Sequence, residues 1–411
     1  MISSPPPRNS NFAPLLWHAA FLALASNFMD VDTIIPSMLI KAGGNEIHLG
    51  FMTAIMLGGS SLFQLFFAGL ISHKPRKKNF LLWGINLRII ALFALAILFF
   101  YSDSLAQGLL ILFIFVFISQ FSFSGAFANI SYVDIVGKSI KGPARKTFFS
   151  AKQVVFSAGV FVSALVAREL LVMLDFPNNY AFLFALAAAL LFVASLGFWR
   201  LKEEPTQTAE KKTLLKFLTM IPAEVKNNKN LKYYLLLINS LGLGLSTLPF
   251  IIYLAKESFG LSYSLIGNFL LLKTLGMLGA SLLLLKFARR FKYKYLLMIS
   301  LILAASMPIA SLLFRDSTLA YQSIFVFAGI FMATYKTAIE GILLEISTDE
   351  NRAIYTGISG AGNILTTIFP LVAGVLILIL GYTPVFIAVS LLILSSFYFV
   401  LRIDCSTKLQ K

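Results

Sequence analysis

Twelve long, continuously apolar segments run along this chain, and they limit it to one class of fold. Each has the roughly 20 residues that a helix needs to cross the hydrocarbon core of a bilayer. With 58% hydrophobic residues and a mean hydropathy of +0.84, a soluble domain would expose too much apolar surface to water. The predicted spans are 12–40, 49–71, 79–101, 108–130, 147–168, 181–199, 233–255, 263–285, 295–314, 319–344, 353–380 and 384–401.

The continuity of these segments predicts helices rather than the strands of a membrane barrel. Barrel strands alternate apolar and polar residues over segments of about 10 residues. Only helices and closed barrels satisfy their backbone hydrogen bonds inside lipid. We therefore expect an all-α integral membrane protein with twelve transmembrane helices.

The net charge of +16 is placed asymmetrically, and the asymmetry predicts the orientation. If the N-terminus is inside, 26 Lys and Arg residues fall in the tails and the even-numbered connections. The odd-numbered connections hold only four: Lys41, Arg168, Lys256 and Arg315. This positive-inside pattern predicts an inner-membrane protein with both termini in the cytoplasm. It also accounts for the charge without a nucleic-acid partner.

Residues 200–232 form the longest polar connection and divide the spans six and six. The expected domains are an N-terminal six-helix bundle at 1–199, a cytoplasmic linker at 200–232 and a C-terminal six-helix bundle at 233–411. Within the linker, Leu214, Leu215 and Leu218 recur at helical spacing beside lysines. This pattern predicts either a short amphipathic helix on the membrane surface or a solvated linker.

Weak internal similarity predicts a duplication of six spans. "TIIPSMLI" ends span 1 and "STLPFIIY" ends span 7, with Pro36 and Pro249 at matching positions. The motifs at 145–148 and 352–355 each open the next helix, and basic clusters follow spans 2 and 8. All three matches fall at equivalent places under one six-span shift.

These features, together with two loop motifs, resemble the major facilitator superfamily over essentially the whole chain. The segment "GLISHKPRKKNFLL" is similar to the family's 2–3 loop motif, G-x-x-x-D-[RK]-x-G-[RK]-[RK]. Its matching residues are Gly69, Lys74, Lys77 and Lys78, whereas His73 replaces the acid and Arg76 the second glycine. Asp134 and Arg145 resemble the acid and arginine of the 4–5 loop. The ends of spans 1 and 6 resemble a bacterial subgroup whose substrates are largely unassigned.

The resemblance implies two pseudo-symmetric six-helix bundles that rock around a central cavity in alternating access. It implies that spans 1, 4, 7 and 10 line this cavity and that spans 3, 6, 9 and 12 are peripheral. It also implies a cytoplasmic gate, altered here because the first motif lacks its acid. The gate candidates are Gly69, Lys74, Lys77, Asp134 and Arg145. For the lysines, ordinary positive-inside charge is the alternative.

Ionisable residues inside the spans are the strongest functional signal. Each costs at least about 2.5 kcal/mol at the bilayer centre and should face protein or a water-filled cavity. They are Asp30, Asp32, Arg88, Lys152, Lys273, Lys336 and Glu340. We expect Arg88 to be a structural charge that braces helix packing in span 3, and Lys152 to reach the cytoplasmic surface.

Asp30 and Asp32 point about 200° apart on a straight helix, at roughly 100° per residue, so one helix cannot aim both into one cavity. Ser26, Asp30, Thr33 and Ser37 form a polar stripe, so we expect Asp30 to face the cavity and carry a proton. Asp32 lies four residues before Pro36, where the helix is free to kink. It is expected either to take part in coupling or to pair with a neighbouring helix, with Arg88 the nearest partner by depth.

Three residues of the second half complete the candidate substrate or proton-coupling set. Lys273 lies near the middle of span 8, and Gly276 and Ala280 on the same side are expected to leave room around it. It is a candidate contact for a substrate anion, or half of an ion pair with an acid elsewhere. Lys336 and Glu340 are spaced i and i+4, so self-pairing is expected unless gate closure opens the pair.

The sequence thus predicts a secondary active transporter for a small charged or zwitterionic solute, with proton coupling through Asp30 as the candidate mechanism. The alternatives are an exporter of amphipathic drugs or lipid-like compounds, and a non-transporting sensor or assembly factor on the same fold. An enzyme is not expected, because no catalytic motif appears. No metal or cofactor is expected, and Cys405 is the only cysteine. The expected partners are a small-molecule substrate, protons and membrane lipid, bound to a monomer.

Overall fold

The computed structural model describes residues 10–71, 74–140, 144–203, 222, 224–286, 292–346, 355, 358–360 and 362–403. From residue 60 to residue 71 the description covers the backbone alone. Most of the 200–232 linker, including its predicted amphipathic segment, lies outside the described residues, as do His73 and Cys405.

The described residues form helices and no strand. The helices are α1 (Phe12–Ser26), α2 (Ile34–Lys41), α3 (Glu46–Ile71), α4 (Lys78–Phe100), α5 (Gln107–Ser139), α6 (Ala144–Met173), α7 (Asn178–Trp199), α8 (Lys229–Phe259), α9 (Tyr263–Lys286), α10 (Tyr293–Leu313), α11 (Thr318–Ile346), α12 (Ile364–Leu380), α13 (Tyr382–Ser395) and α14 (Phe397–Arg402).

These helices correspond to the twelve predicted spans, with α1 and α2 sharing span 1 and α13 and α14 sharing span 12. Eleven spans of the described part are long and apolar enough to cross a membrane. The remaining predicted span, 49–71, corresponds to α3, which is 26 residues long. The prediction of an all-α, multi-pass membrane protein is confirmed.

Span 1 is interrupted rather than kinked, which makes the expectation of one polar stripe wrong. A 3-10 turn at Asn27–Met29 follows α1, and Asp30 then adopts an extended backbone with φ −65° and ψ 125°. Pro36 is the third residue of the new helix α2, where its missing N–H has no intrahelical partner to lose. The helix-spacing argument that aimed Asp30 into a cavity therefore does not apply.

The described structure forms two compact units: Met1–Asp30 with Phe66–Lys212, and Val31–Leu65 with Thr213–Lys411. In the first unit, α4 packs against α5 and α7, and α1 packs against α6 and α7. In the second, α11 packs against α9 and α10, and α10 also packs against α13. The break in span 1 coincides with the boundary between the units. Division of the chain at the 200–232 linker stays a prediction.

Candidate substrate and coupling site

The central feature of the second unit is a buried ion pair between two of the candidate residues. Lys273 Nζ of α9 lies 3.1 Å from Asp32 Oδ2, in the turn that precedes α2. Each residue is only 5% exposed. The acid that Lys273 contacts is thus 241 residues away in the sequence. Asp32 pairs with a neighbouring helix, but with Lys273 rather than with the predicted Arg88.

The start of α2 holds Asp32 in position. The backbone N–H of Ser37 donates to the carbonyl of Thr33 at 3.0 Å, and the Ser37 hydroxyl donates to the carbonyl of Ile34 at 2.8 Å. Thr33 and Ser37 are fully buried. Because Pro36 has no N–H, the helix cannot extend its hydrogen bonding back to the Asp32 carbonyl. The side chain of Asp32 therefore projects from a rigid helix start rather than from a helix face.

The surroundings of Lys273 are tight, contrary to the expectation that Gly276 leaves room for its side chain. A Cβ on Gly276 would come within 2.3 Å of the Val326 carbonyl oxygen, and one on Gly329 within 2.0 Å of the Lys273 carbonyl oxygen. The two glycines let α9 and α11 approach at backbone distance, as small residues do in membrane helix pairs. The close crossing fixes the position of Lys273 relative to α11.

Asp30 is the last residue of the N-terminal segment of the first unit and is half-buried. Its extended backbone separates α1 from the turn that carries Asp32. Just before it, the Asn27 side chain donates to the Val160 carbonyl at 2.6 Å. This hydrogen bond joins the turn after α1 to α6 within the first unit. A proton-carrying role for Asp30 stays a prediction.

Lys336 and Glu340 of α11 do not form the expected pair. Both side chains are exposed, and no ion pair within 4 Å joins them among the described residues. Glu340 instead lies within electrostatic range of Tyr234, whose hydroxyl is 3.1 Å from that of Ser359. The self-pairing prediction is therefore wrong, and exposure leaves both residues accessible to other partners.

The 2–3 loop motif is anchored by an acid that the motif comparison missed. Lys77 Nζ lies 2.9 Å from Asp134 Oδ1 of α5, so two gate candidates form an ion pair. The Glu203 carboxylate accepts from the backbone N–H groups of Lys77 and Lys78, each at 2.7 Å, at the start of α4. Glu203 thus places a negative charge at the positive end of that helix. The segment "LKEEP" after span 6 carried this signal.

The other gate candidates are only partly described. Lys74 is exposed, Gly69 lies in α3, and Arg145 lies near the start of α6. The side-chain surroundings of Arg145 lie outside the described residues. Whether this cluster acts as a gate stays a prediction.

Arg88 of the first unit lies against α5. Its guanidinium carbon is 4.1 Å from the centre of the Phe121 ring. Lys152 of α6 lies with its Nζ 5.2 Å from the ring centre of Tyr132. Both cations are within electrostatic range of His18, which is buried and stacked on Phe198 at 3.8 Å. The first unit thus gathers two positive charges and several aromatic rings.

Among the described residues, no three His, Cys, Asp or Glu side chains are grouped so as to hold a metal ion.

Comparison with known proteins gives a family and a fold. The family model described as Major Facilitator Superfamily matches residues 16–325 and 233–406. No curated protein matches the sequence significantly. The nucleoside transporter NupG has a similar structure, with a TM-score of 0.67 and 14% identity over 96% of this chain and 99% of that one.

Two further solved structures are similar over nearly their whole length. A POT family transporter solved with 5-aminolevulinic acid has a TM-score of 0.67 and 14% identity, over 97% of this chain and 96% of that one. A bacterial homologue of the human lysosomal transporter Spinster has a TM-score of 0.64 and 12% identity, over 97% of this chain and 98% of that one. At these identities the likeness shows the fold alone.

Proposed function

Because the chain belongs to the Major Facilitator Superfamily, we propose that it is a secondary active transporter for a small charged or zwitterionic solute, with Asp32 and Lys273 as its coupling pair. Members of this family are transporters rather than enzymes. The observation that carries the proposal is the buried ion pair beside the interruption of span 1. The substrate and its coupling to protons are the parts proposed here.

A buried ion pair is a weak source of stability, because desolvation of two charges offsets most of their attraction. Its retention in a membrane segment therefore favours a functional role. Protonation of Asp32 removes the negative partner and leaves Lys273 able to contact a substrate anion. Deprotonation restores the pair and releases that anion. This exchange couples a proton to the solute.

Asp30 is the second candidate proton acceptor of the transport cycle. It lies two residues from Asp32 in the same interruption of span 1, and it is half-buried. Its backbone is extended rather than helical, so its carboxylate lies outside a regular helix. Asp30→Asn separates the two roles, because it leaves the Asp32 pair intact.

The charge asymmetry of the connections supports placement in the inner membrane with both termini in the cytoplasm. With that orientation the 2–3 loop and Glu203, which accepts hydrogen bonds from Lys77 and Lys78, lie on the cytoplasmic side. A proton gradient across the same membrane would drive the exchange at Asp32.

The proposal is tested with purified protein in liposomes under an imposed pH gradient. The vesicles are offered a defined mixture of amino acids and carboxylic acids, and their contents are measured by mass spectrometry. We expect wild type to accumulate at least one solute only with the gradient, and Asp32→Asn and Lys273→Met to lose this accumulation. Lys286→Met, on the exposed end of the same helix, is the matched control and should retain it.

Accumulation that ignores the pH gradient, or that survives both substitutions, contradicts the proposal. Movement of an amphipathic dye that depends on neither residue would favour the exporter alternative instead. Solute counterflow without a gradient shows whether a variant that fails to accumulate solute is still a folded carrier.

A further inference from the structure

The first unit contains a cation that the coupling pair does not use. We propose that Arg88 is an anion-binding residue of the transport pathway and that it holds a carboxylate or phosphate group of the substrate. The inference rests on the proposed function and names the substrate class. It differs from the expectation that Arg88 only braces helix packing.

Arg88 is not neutralised by any residue that the structure describes. No carboxylate of those residues lies within 4 Å of its guanidinium. Its buried Nε has no hydrogen-bond partner there either. An arginine carries its charge at any physiological pH and presents five N–H donors. A desolvated donor without a partner costs free energy, and a bound oxyanion removes that cost.

The close crossing of α4 and α5 places the Arg88 guanidinium beside two residues of α5. Gly84 of α4 and Ala128 of α5 pack so closely that a Cβ on Gly84 would lie 2.7 Å from the Ala128 nitrogen. One turn further along α4, the Phe121 ring covers one side of Arg88. Gly125, one turn along α5 from Phe121, also lies beside Arg88, and its added Cβ would lie 3.6 Å from the Arg88 Cζ. The glycine therefore keeps space beside the charge.

Arg88 does not lie on the outer, exposed face of α4. Exposed apolar residues of this helix, such as Ile90, Phe93 and Ile97, mark its outer face. At about 100° per residue, Arg88 lies 140° or more around the helix from each of them. It shares the inner face with buried Leu92 and Leu95. Its side chain therefore leaves the helix on the inner face of α4.

A polar face continues from Arg88 along α5. Gly125, Asn129 and Tyr132 are spaced four and three residues apart and share one face of that helix. Asn129 is exposed, which favours a water-filled space over lipid. Lys152 lies over Tyr132 at the other end, roughly 10 Å along the helix axis from the level of Gly125. Cations at both ends make the face suited to an anion.

Guanidinium groups bind carboxylate and phosphate through two parallel N–H···O bonds. The geometry therefore points to an organic acid or a phosphate ester whose anionic group binds Arg88. A second polar group of the same molecule reaches along α5 toward Asn129. Because an arginine stays charged at physiological pH, its contribution to anion binding does not depend on the protonation of Asp32.

The test is a binding measurement on the full-length protein in a neutral detergent, without any pH gradient. The probes are acetate, succinate, citrate and inorganic phosphate, with succinamide as the uncharged match for succinate. Thermal stabilisation and titration calorimetry measure binding. We expect at least one anion to bind and succinamide not to, and Arg88→Gln to weaken that anion about tenfold or more. Arg88→Lys should retain part of the affinity, and Lys286→Gln all of it.

Gly125→Ala keeps the arginine charge and narrows the space beside it. It therefore tests the anion site independently if the arginine variants misfold. It should weaken anion binding while the unliganded protein keeps its melting temperature. Nanodiscs of phosphatidylglycerol and of phosphatidylcholine separate a lipid headgroup from a soluble anion. Stabilisation by the anionic lipid alone overturns the proposal, and so does the absence of any anion response in wild type.

If Arg88→Gln melts at a lower temperature but binds the anions as wild type does, Arg88 is a packing charge and the inference fails. The proposed function does not fail with it, because gradient-driven accumulation through Asp32 and Lys273 is measured separately. Conversely, anion binding through Arg88 without pH-dependent transport would leave this inference standing and remove the coupling proposal.

Discussion

Lys273 Nζ donates a 3.1 Å hydrogen bond to Asp32 Oδ2, and both side chains are almost completely buried. The bond joins the turn before α2 to the middle of α9. Two residues that the sequence offered as separate candidates for substrate or proton binding therefore form a single ion pair. Any change to one residue also changes the other.

A double-substitution cycle should reveal this coupling. Lys273→Met alone leaves the buried Asp32 carboxylate without its counter-charge, and Asp32→Asn alone leaves the Lys273 ammonium without one. We expect Lys273→Met to lower the free energy of unfolding by about 3–5 kcal/mol. The double variant should recover most of that loss, because neither charge remains. Unfolding in mixed micelles at neutral pH provides the measurement, and purely additive losses would show that the two side chains do not interact.

Substitution of Gly276 tests the close approach of α9 and α11. Gly276→Ala places a methyl group 2.3 Å from the Val326 carbonyl oxygen, so the helices must separate. We expect a loss of about 1–3 kcal/mol, as for overpacking elsewhere. Gly279→Ala on the same helix is the matched control, because no atom lies within 4 Å of its added Cβ. Equal melting temperatures for the two variants would contradict the described crossing.

Glu203 should stabilise the start of α4 through its carboxylate. Glu203→Ala removes the acceptor of two backbone N–H groups and a negative charge at the positive end of the helix. We expect a cost of about 1–2 kcal/mol, and faster amide hydrogen exchange at Lys77 and Lys78 than in wild type. Glu169→Ala provides the control, because that acid is exposed and, among the described residues, forms an ion pair with its neighbour Arg168 alone. Unchanged exchange at the two amides would remove Glu203 from this role.

Asn239 should be a structural residue of the second unit rather than a substrate contact. Its amide donates to the Gly362 carbonyl at 2.7 Å, and its carbonyl accepts from the Leu365 N–H at 2.8 Å, at the start of α12. Asn239→Leu should lower the unfolding free energy by about 1–2 kcal/mol, since both backbone groups lose a partner. Asn129→Leu, at an exposed position on α5, should cost little. A ligand affinity that changes without a loss of stability would contradict this assignment.

Much of the fold follows from local properties of the sequence. The length of an apolar segment is a property of contiguous residues, so each span can be predicted without reference to the others. The predicted 12–40 and 79–101 segments agree closely with α1 to α2 and with α4. Prediction failed inside span 1, because a proline permits either a kink or a new helix start. Packing of α2 against α8 and α9 decides between them.

The candidate site was predicted residue by residue but not in its contacts. The cost of a charge in lipid singles out Asp32, Arg88 and Lys273 from the sequence alone. It does not say that Asp32 meets Lys273 rather than Arg88, or that Lys336 and Glu340 stay apart. The first outcome depends on which helices approach one another, and the second on side-chain conformation within α11. The sequence determined the membrane class, the number of spans and the chemistry inside them, because these depend on contiguous residues. Only the tertiary structure decided the partners, because a contact between residues 241 positions apart is set by packing rather than by local pattern.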